Sequence, residues 1–160
     1  MSARWGDKMA GEGGTLKAQE IMRELTLDDA RLSKRQTEDN IITSDSPLFF
    51  ESLKSLTGDN LESLNSEMRL AGDHAFTFTP AGCEFSFGRK LMPIFMRKVM
   101  FRKASKEVVV RTTIIRGYTS QEVKEKTWRF TVAHSDLILD GRNVLECANA
   151  MMDGIEAAFR

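Results

Sequence analysis

Four side chains have the atoms that a metal site or a nucleophile–base pair needs, namely His74, Cys83, His134 and Cys147. They are separated by nine, 51 and 13 residues, which matches no compact zinc finger, and no nucleophile motif surrounds either cysteine. Two cysteines so far apart also do not form a disulfide framework. We therefore expect reduced thiols, no metal site, no cofactor and no catalytic residue.

The second chemical feature is a block of positive charge. Residues 76–116 carry nine Lys or Arg side chains and two Asp or Glu, although the formal net charge of the whole chain is zero. Such a block attracts anionic partners or the acidic part of the same chain. Within segment 89–116 the candidate anion-binding residues are Arg97, Lys98, Arg102, Lys103, Lys106 and Arg111. They would bind nucleic acid or acidic lipid by releasing counterions.

An alternative interpretation makes these cations solvated side chains that keep strand edges from aggregating, paired in part with the acidic N-terminal region. On a strand, Arg97 and Lys103 would point away from the side that Lys98 and Arg102 occupy, so the charge would be divided between two faces. A helical conformation would instead give a membrane-surface helix. The sequence favours the solvated interpretation.

The composition indicates an ordinary folded domain. A chain of 160 residues with 41% apolar and 29% charged side chains can bury a substantial core. Because we find neither a signal-peptide h-region nor an apolar stretch of membrane-spanning length, we expect a soluble, cytoplasmic protein.

The N-terminal region divides into a tail and an arm. Residues 1–14 end in four residues that include three glycines, and we expect a disordered tail. Residues 15–44 are expected to form a helical arm, whose apolar side chains include Ile21, Met22 and Leu25. The sequence leaves open whether this arm packs on its own domain.

Residues 45–160 are expected to form a single domain that begins with helices. Ser46 and Pro47 are typical of a helix start, and Gly58 is placed to end that helix or bend it. Asp59 and Glu62 then predict a second helical start.

Beyond Gly72 the apolar period changes from helical to two. Alternation at Phe76–Phe78 and Cys83–Phe87 predicts a hairpin, and two later runs, 107–115 and 127–134, predict strands. Residues 91–103 fit a strand or a helix, and we favour a strand at Val99–Lys103.

The C-terminal region predicts a capped helix. Asn143 and Glu146 form a capping box, and an apolar stripe runs from Val144 to Phe159. The predicted fold is therefore α+β, with N-terminal helices, an antiparallel meander of four to five strands, and a C-terminal helix packed on one face of the sheet.

The sequence is compatible with three functions. The leading one is a non-catalytic adaptor that binds a protein partner or a second copy of itself, because the arm has too thin an apolar face to fold alone. The second is a polyanion-binding module that uses segment 89–116. The third is a small-molecule or enzymatic site in a pocket between sheet and helices.

Overall fold

The computed structural model describes the backbone of residues 2–160 and the side chains of residues 11–160. The protein has α+β architecture, as the sequence predicted, with a long N-terminal helix, an antiparallel sheet and a C-terminal helix. The elements are α1 (Ser2–Glu67), β1 (Thr77–Ala81), β2 (Glu84–Arg89), β3 (Ile94–Arg102), β4 (Glu107–Ile115), β5 (Gln121–Ala133), β6 (Asp136–Leu139) and α2 (Val144–Ala150). The strands pair in chain order, so the sheet is a meander. It has six strands instead of the predicted four to five, because the short run before the Asp140-Gly141 turn also pairs as β6.

The chain forms two units with a boundary after Asp39. The first unit is helical, and the second, Asn40–Arg160, contains the rest of α1 and all other elements. The predicted division into a tail (1–14), an arm (15–44) and a domain (45–160) stays a prediction. Met1 lies outside the described residues, as do the side chains of residues 2–10.

The predicted breaks in the N-terminal helices are absent, since α1 continues through both Pro47 and Gly58. Pro47 costs the helix one hydrogen bond. The buried side chains of Ile42 and Phe50, on either side of it, anchor the helix on the core. Gly58 serves a close approach instead of a helix end, because a Cβ there would lie 3.0 Å from the ring of Phe78.

Residues 91–103 are resolved in favour of a strand, since β3 covers Ile94–Arg102. The Met92–Pro93 peptide bond before it is cis. The alternation that predicted the sheet also sorts its side chains. One face, which we call the covered face, presents apolar side chains to α1 and to residues 144–159, among them Phe85, Phe95, Val99, Val108, Trp128 and Phe130.

The core lies between the covered face and residues 42–64 of α1. Phe50 stacks on Phe101 with ring centroids 5.3 Å apart, and Phe49 meets the ring of Phe130 edge-on at 5.3 Å. Each such pair adds roughly 0.5–1.5 kcal/mol beyond the area it buries. Helix and sheet are thus joined mainly by aromatic side chains.

The C-terminal helix is shorter than the sequence predicted. The capping box is confirmed, because the Asn143 side chain accepts from the Glu146 backbone amide and Glu146 accepts from Asn143. However, α2 ends at Ala150, and the stripe continues in a 3-10 helix at Ile155–Phe159. Gly154 has a positive φ of 77°, a conformation that interrupts an α-helix. We call residues 144–159 the C-terminal segment.

Candidate binding surfaces

The six candidate anion-binding residues do not share one surface. Arg97 lies on the covered face, opposite Phe87 and Thr112 in the register. Lys98, Arg102 and Arg111 lie on the opposite face of the sheet. Lys103 and Lys106 belong to the turn between β3 and β4. The alternation of a strand therefore separates the charge that is continuous in the sequence.

Arg97 is buried and holds the C-terminal segment. Its Nη1 donates to the carbonyl oxygens of Met151 at 2.6 Å and Asp153 at 2.7 Å, and its Nε donates to Thr112 Oγ1 at 2.8 Å. Burial lowers the pKa of Arg97, an effect that the nearby carboxylates of Asp153 and Glu156 oppose. The guanidinium thus supplies donors to the carbonyls of the C-cap residue Met151 and of Asp153, just beyond the end of α2.

Arg89 has a similar position, which the sequence analysis did not identify. Its Nη2 donates to the carbonyl of Ala158 at 2.6 Å, and its guanidinium lies 4.2 Å from the ring centroid of Phe159. The available signal was strand alternation, which places Arg89 on the same face as Phe85 and Phe87. When a charged residue falls on the apolar side of an alternating strand, its position indicates that it is buried and has a structural role.

On the opposite face, basic side chains pair with carboxylates of neighbouring strands. Lys98 lies 3.4 Å from Glu84, and Arg111 lies 2.9 Å from Glu125. A third pair joins Arg129 to Glu107 at 3.4 Å. These exposed pairs contribute little stability, roughly 0–1 kcal/mol each. Of these three pairs, only the one between Arg111 and Glu125 joins a cation of residues 76–116 to a carboxylate outside that block.

The two cysteines occupy different environments. Cys147 in α2 is buried, and its thiol donates to the carbonyl of Leu139 at 3.4 Å. Burial raises the pKa of Cys147 to about 12, which keeps the thiol protonated and unreactive at neutral pH. Cys83 is exposed in the turn between β1 and β2. Among the residues that the structure describes, no three His, Cys, Asp or Glu side chains form a group that could hold a metal ion.

A groove of about 550 Å³ lies between the ends of β4 and β5 and the C-terminal segment. Six basic and four acidic side chains line it, together with Trp128 and small apolar residues. Much of this charge is paired: Glu122 accepts from Arg116 at 3.1 Å and lies 3.1 Å from Lys124 Nζ. The hydrogen bonds from Lys124 and then from Arg116 lower the pKa of Glu122. The groove is large enough for a small polar molecule.

A further exposed surface lies on α1, within the first unit. Ile21, Met22, Leu25 and Leu32 are all between 46% and 67% exposed. At 100° per residue these four positions fall within an arc of about 100° around the helix axis. We call them the α1 stripe. Leu27 is 56% exposed but lies nearly opposite Leu25 on the helix.

None of the helices in the described part of the chain combines the length and the apolar character that crossing a bilayer requires. No protein-family model matches the chain, and neither the search of curated proteins nor the search of solved structures found a similar protein. No residue roles can therefore be carried over to this chain from a family.

Proposed function

We propose that the protein is a non-catalytic binding protein that assembles with a second copy of itself through the α1 stripe. The observation that carries this proposal is the exposure of four large apolar side chains along one side of a helix. Burial of each such side chain contributes roughly 1.5–3 kcal/mol. A second copy offers the same stripe, and two apolar helix faces pack against each other by interlocking side chains.

The behaviour of isolated helices supports the same conclusion. Helices without tertiary contacts are marginal in water, and most helical stability in proteins comes from packing of an apolar face. Over residues 11–36 every side chain is exposed, so the described residues of the first unit do not themselves cover the stripe. Pairing of two stripes would supply the missing packing.

The alternative functions have weaker support. Polyanion binding through segment 89–116 would need its cations on one surface, whereas Arg97 is buried and Lys98 and Arg111 already pair with carboxylates. A small-molecule site in the groove stays a candidate. However, the thiol of Cys147 is protonated and buried outside the groove lining, so it offers that site no nucleophile.

Polar substitution in the stripe tests the proposal. We expect Leu25→Glu to abolish association through the α1 stripe, because pairing of two stripes would then bury a carboxylate without a partner. Light scattering coupled to gel filtration over a range of protein concentrations would measure the molar mass. Leu27→Glu is the matched control, since it changes an equally exposed leucine on the other side of the helix. A wild-type mass that stays at 18.1 kDa throughout would overturn the proposal.

A further inference from the structure

A second surface, independent of α1, lies at the edge of the sheet. β5 extends over Gln121–Ala133, but β6 pairs only with Phe130–Ala133. Over Gln121–Arg129 the ladder partner of β5 is β4, on one side. Among the residues that the structure describes, no strand pairs with the other side of this stretch, which is therefore an open strand edge of the kind that pairs with further chains.

The hydrogen bonds show which backbone groups face outward. The amide of Phe130 donates to Lys106 on the β4 side, whereas the carbonyl of Arg129 accepts from Asp140 on the other side. In an antiparallel strand the direction alternates with each residue, and the register with β4 is unbroken from Gln121 to Arg129. The amide and carbonyl groups of Val123, Glu125 and Thr127 therefore point away from the sheet.

The side chains along this edge are also accessible. From Gln121 to Thr127 all are exposed except the half-buried Glu122. Val123 is 53% exposed, which makes it an apolar side chain in the middle of an otherwise polar edge. A β-branched residue in this position favours contact with another strand.

We propose that this edge pairs antiparallel with the same edge of a second copy, with Val123 of each chain at the twofold axis. In that register Val123 faces Val123, and Gln121 faces Glu125. Each of these pairs would exchange two backbone hydrogen bonds. On the groove side, Glu122 of each chain faces Lys124 of the other.

The order of charges favours this register over the two neighbouring ones. With the twofold axis at Lys124, the Lys124 side chains of the two chains would face each other. With the axis at Glu125, the two Glu125 side chains would face each other, and Lys124 of each chain would face Lys126 of the other. Like charges directly opposite each other are destabilising, whereas opposite charges stabilise. Of the three registers, only the one centred on Val123 pairs opposite charges within Gln121–Glu125 and places no two like charges opposite each other.

The groove residues reinforce the pairing. Arg116, Glu122 and Lys124 already form a linked set of ion pairs within one chain. Joining two such sets across the axis makes a network of two carboxylates and four cations, in which each Glu122 also faces the Lys124 of the other chain. Charged edges suppress random pairing. Here the order of the charges allows one specific partner, a second copy of this strand.

Cysteine cross-linking in the full-length protein tests the register. Val123→Cys in a Cys83→Ser background places two thiols at the axis, where Cα atoms about 5.5 Å apart suit a disulfide. Thr127→Cys is the matched control, because it lies on the same edge and the same face but far from the axis. After mild oxidation we expect at least about tenfold more disulfide dimer for Val123→Cys, since disulfides do not bridge Cα atoms more than about 7 Å apart.

A charge exchange provides a second test that needs no cysteine. Glu122→Lys or Lys124→Glu alone puts like charges opposite each other twice and should weaken the dimer by about tenfold or more. The double variant E122K/K124E reverses both charges and should restore the dimer. Sedimentation velocity in the Leu25→Glu background measures this edge alone, so failure here and failure of the α1 stripe are distinguishable.

Two results would overturn the inference. One is equal cross-linking of the cysteine variants at positions 123 and 127, with or without Leu25→Glu. The other is a double charge variant that assembles no better than the single ones.

Discussion

Arg97 fixes the C-terminal segment to the covered face. It brings a charge onto the covered face beside the rings of Phe87 and Phe95, and it donates there to two backbone carbonyls and a threonine hydroxyl. Hydrogen bonds from a charged donor contribute about 1.5–3 kcal/mol each, and carbonyls left without a donor carry a desolvation cost. Arg97 is therefore a structural cation.

We expect Arg97→Met to lower the free energy of unfolding by about 3 kcal/mol, because the carbonyls of Met151 and Asp153 would lose their donor. Urea denaturation followed by tryptophan fluorescence measures the change. Arg102→Met is the control at the exposed end of the same strand, with an expected change within about 0.5 kcal/mol. Equal stability of both variants would show that Arg97 does not hold the segment.

The burial of Cys147 leads to a prediction about thiol reactivity. A thiol reagent at neutral pH should label Cys83 quickly and Cys147 only after unfolding. The Cys83→Ser variant should therefore show no fast labelling phase.

The raised pKa of Cys147 also predicts a pH dependence of stability. The folded-state pKa of about 12 lies above the value of about 8.5 in an unfolded chain. The stability from the protonated thiol is therefore complete below about pH 8.5 and declines as the pH rises towards 12. Cys147→Ala should lack this alkaline decline, whereas an identical decline in urea titrations of both proteins would contradict the assignment.

At the scale of elements, local sequence signals predicted the strands and the helix cap, whereas the continuity of α1 depends on tertiary packing. The β-branched run of β4 and the Asn143 capping box were readable because their signals lie within a few neighbouring residues. The continuity of α1 through Pro47 and Gly58 was not readable, because it depends on contacts with Phe78 and the core that are distant in sequence. The chain just beyond α2 likewise has a contact distant in sequence, because Arg97 donates to the carbonyls of Met151 and Asp153.

The cap of α2 can be tested by itself. Asn143→Ala removes the acceptor for the Glu146 amide and should lower the free energy of unfolding by about 1 kcal/mol. Asn143→Asp, which retains a cap acceptor, should be nearly neutral and serves as the control. A loss in both variants would show that the side chain acts through contacts other than the cap.

At the scale of the molecule, the two proposed interfaces, the α1 stripe and the β5 edge, have a combined consequence. A chain with two different twofold interfaces builds either a closed tetramer or an open filament. The α1 stripe was accessible to sequence analysis because its helical period appears in the residues themselves. The edge of β5 was not, because it depends on how far β6 extends along it.

The proposed function depends most directly on residues 11–39. In the described part of the chain the buried core residues lie between Ile42 and Ala158, so Asn40–Arg160 retains this core and should fold without the first unit. Sedimentation equilibrium of the full chain and of residues 40–160, both carrying E122K to weaken the β5 edge, compares them directly. We predict concentration-dependent association of the full chain and a monomeric fragment with unchanged urea stability. Identical association of both proteins, or a monomeric full chain at every concentration, would contradict assembly through α1.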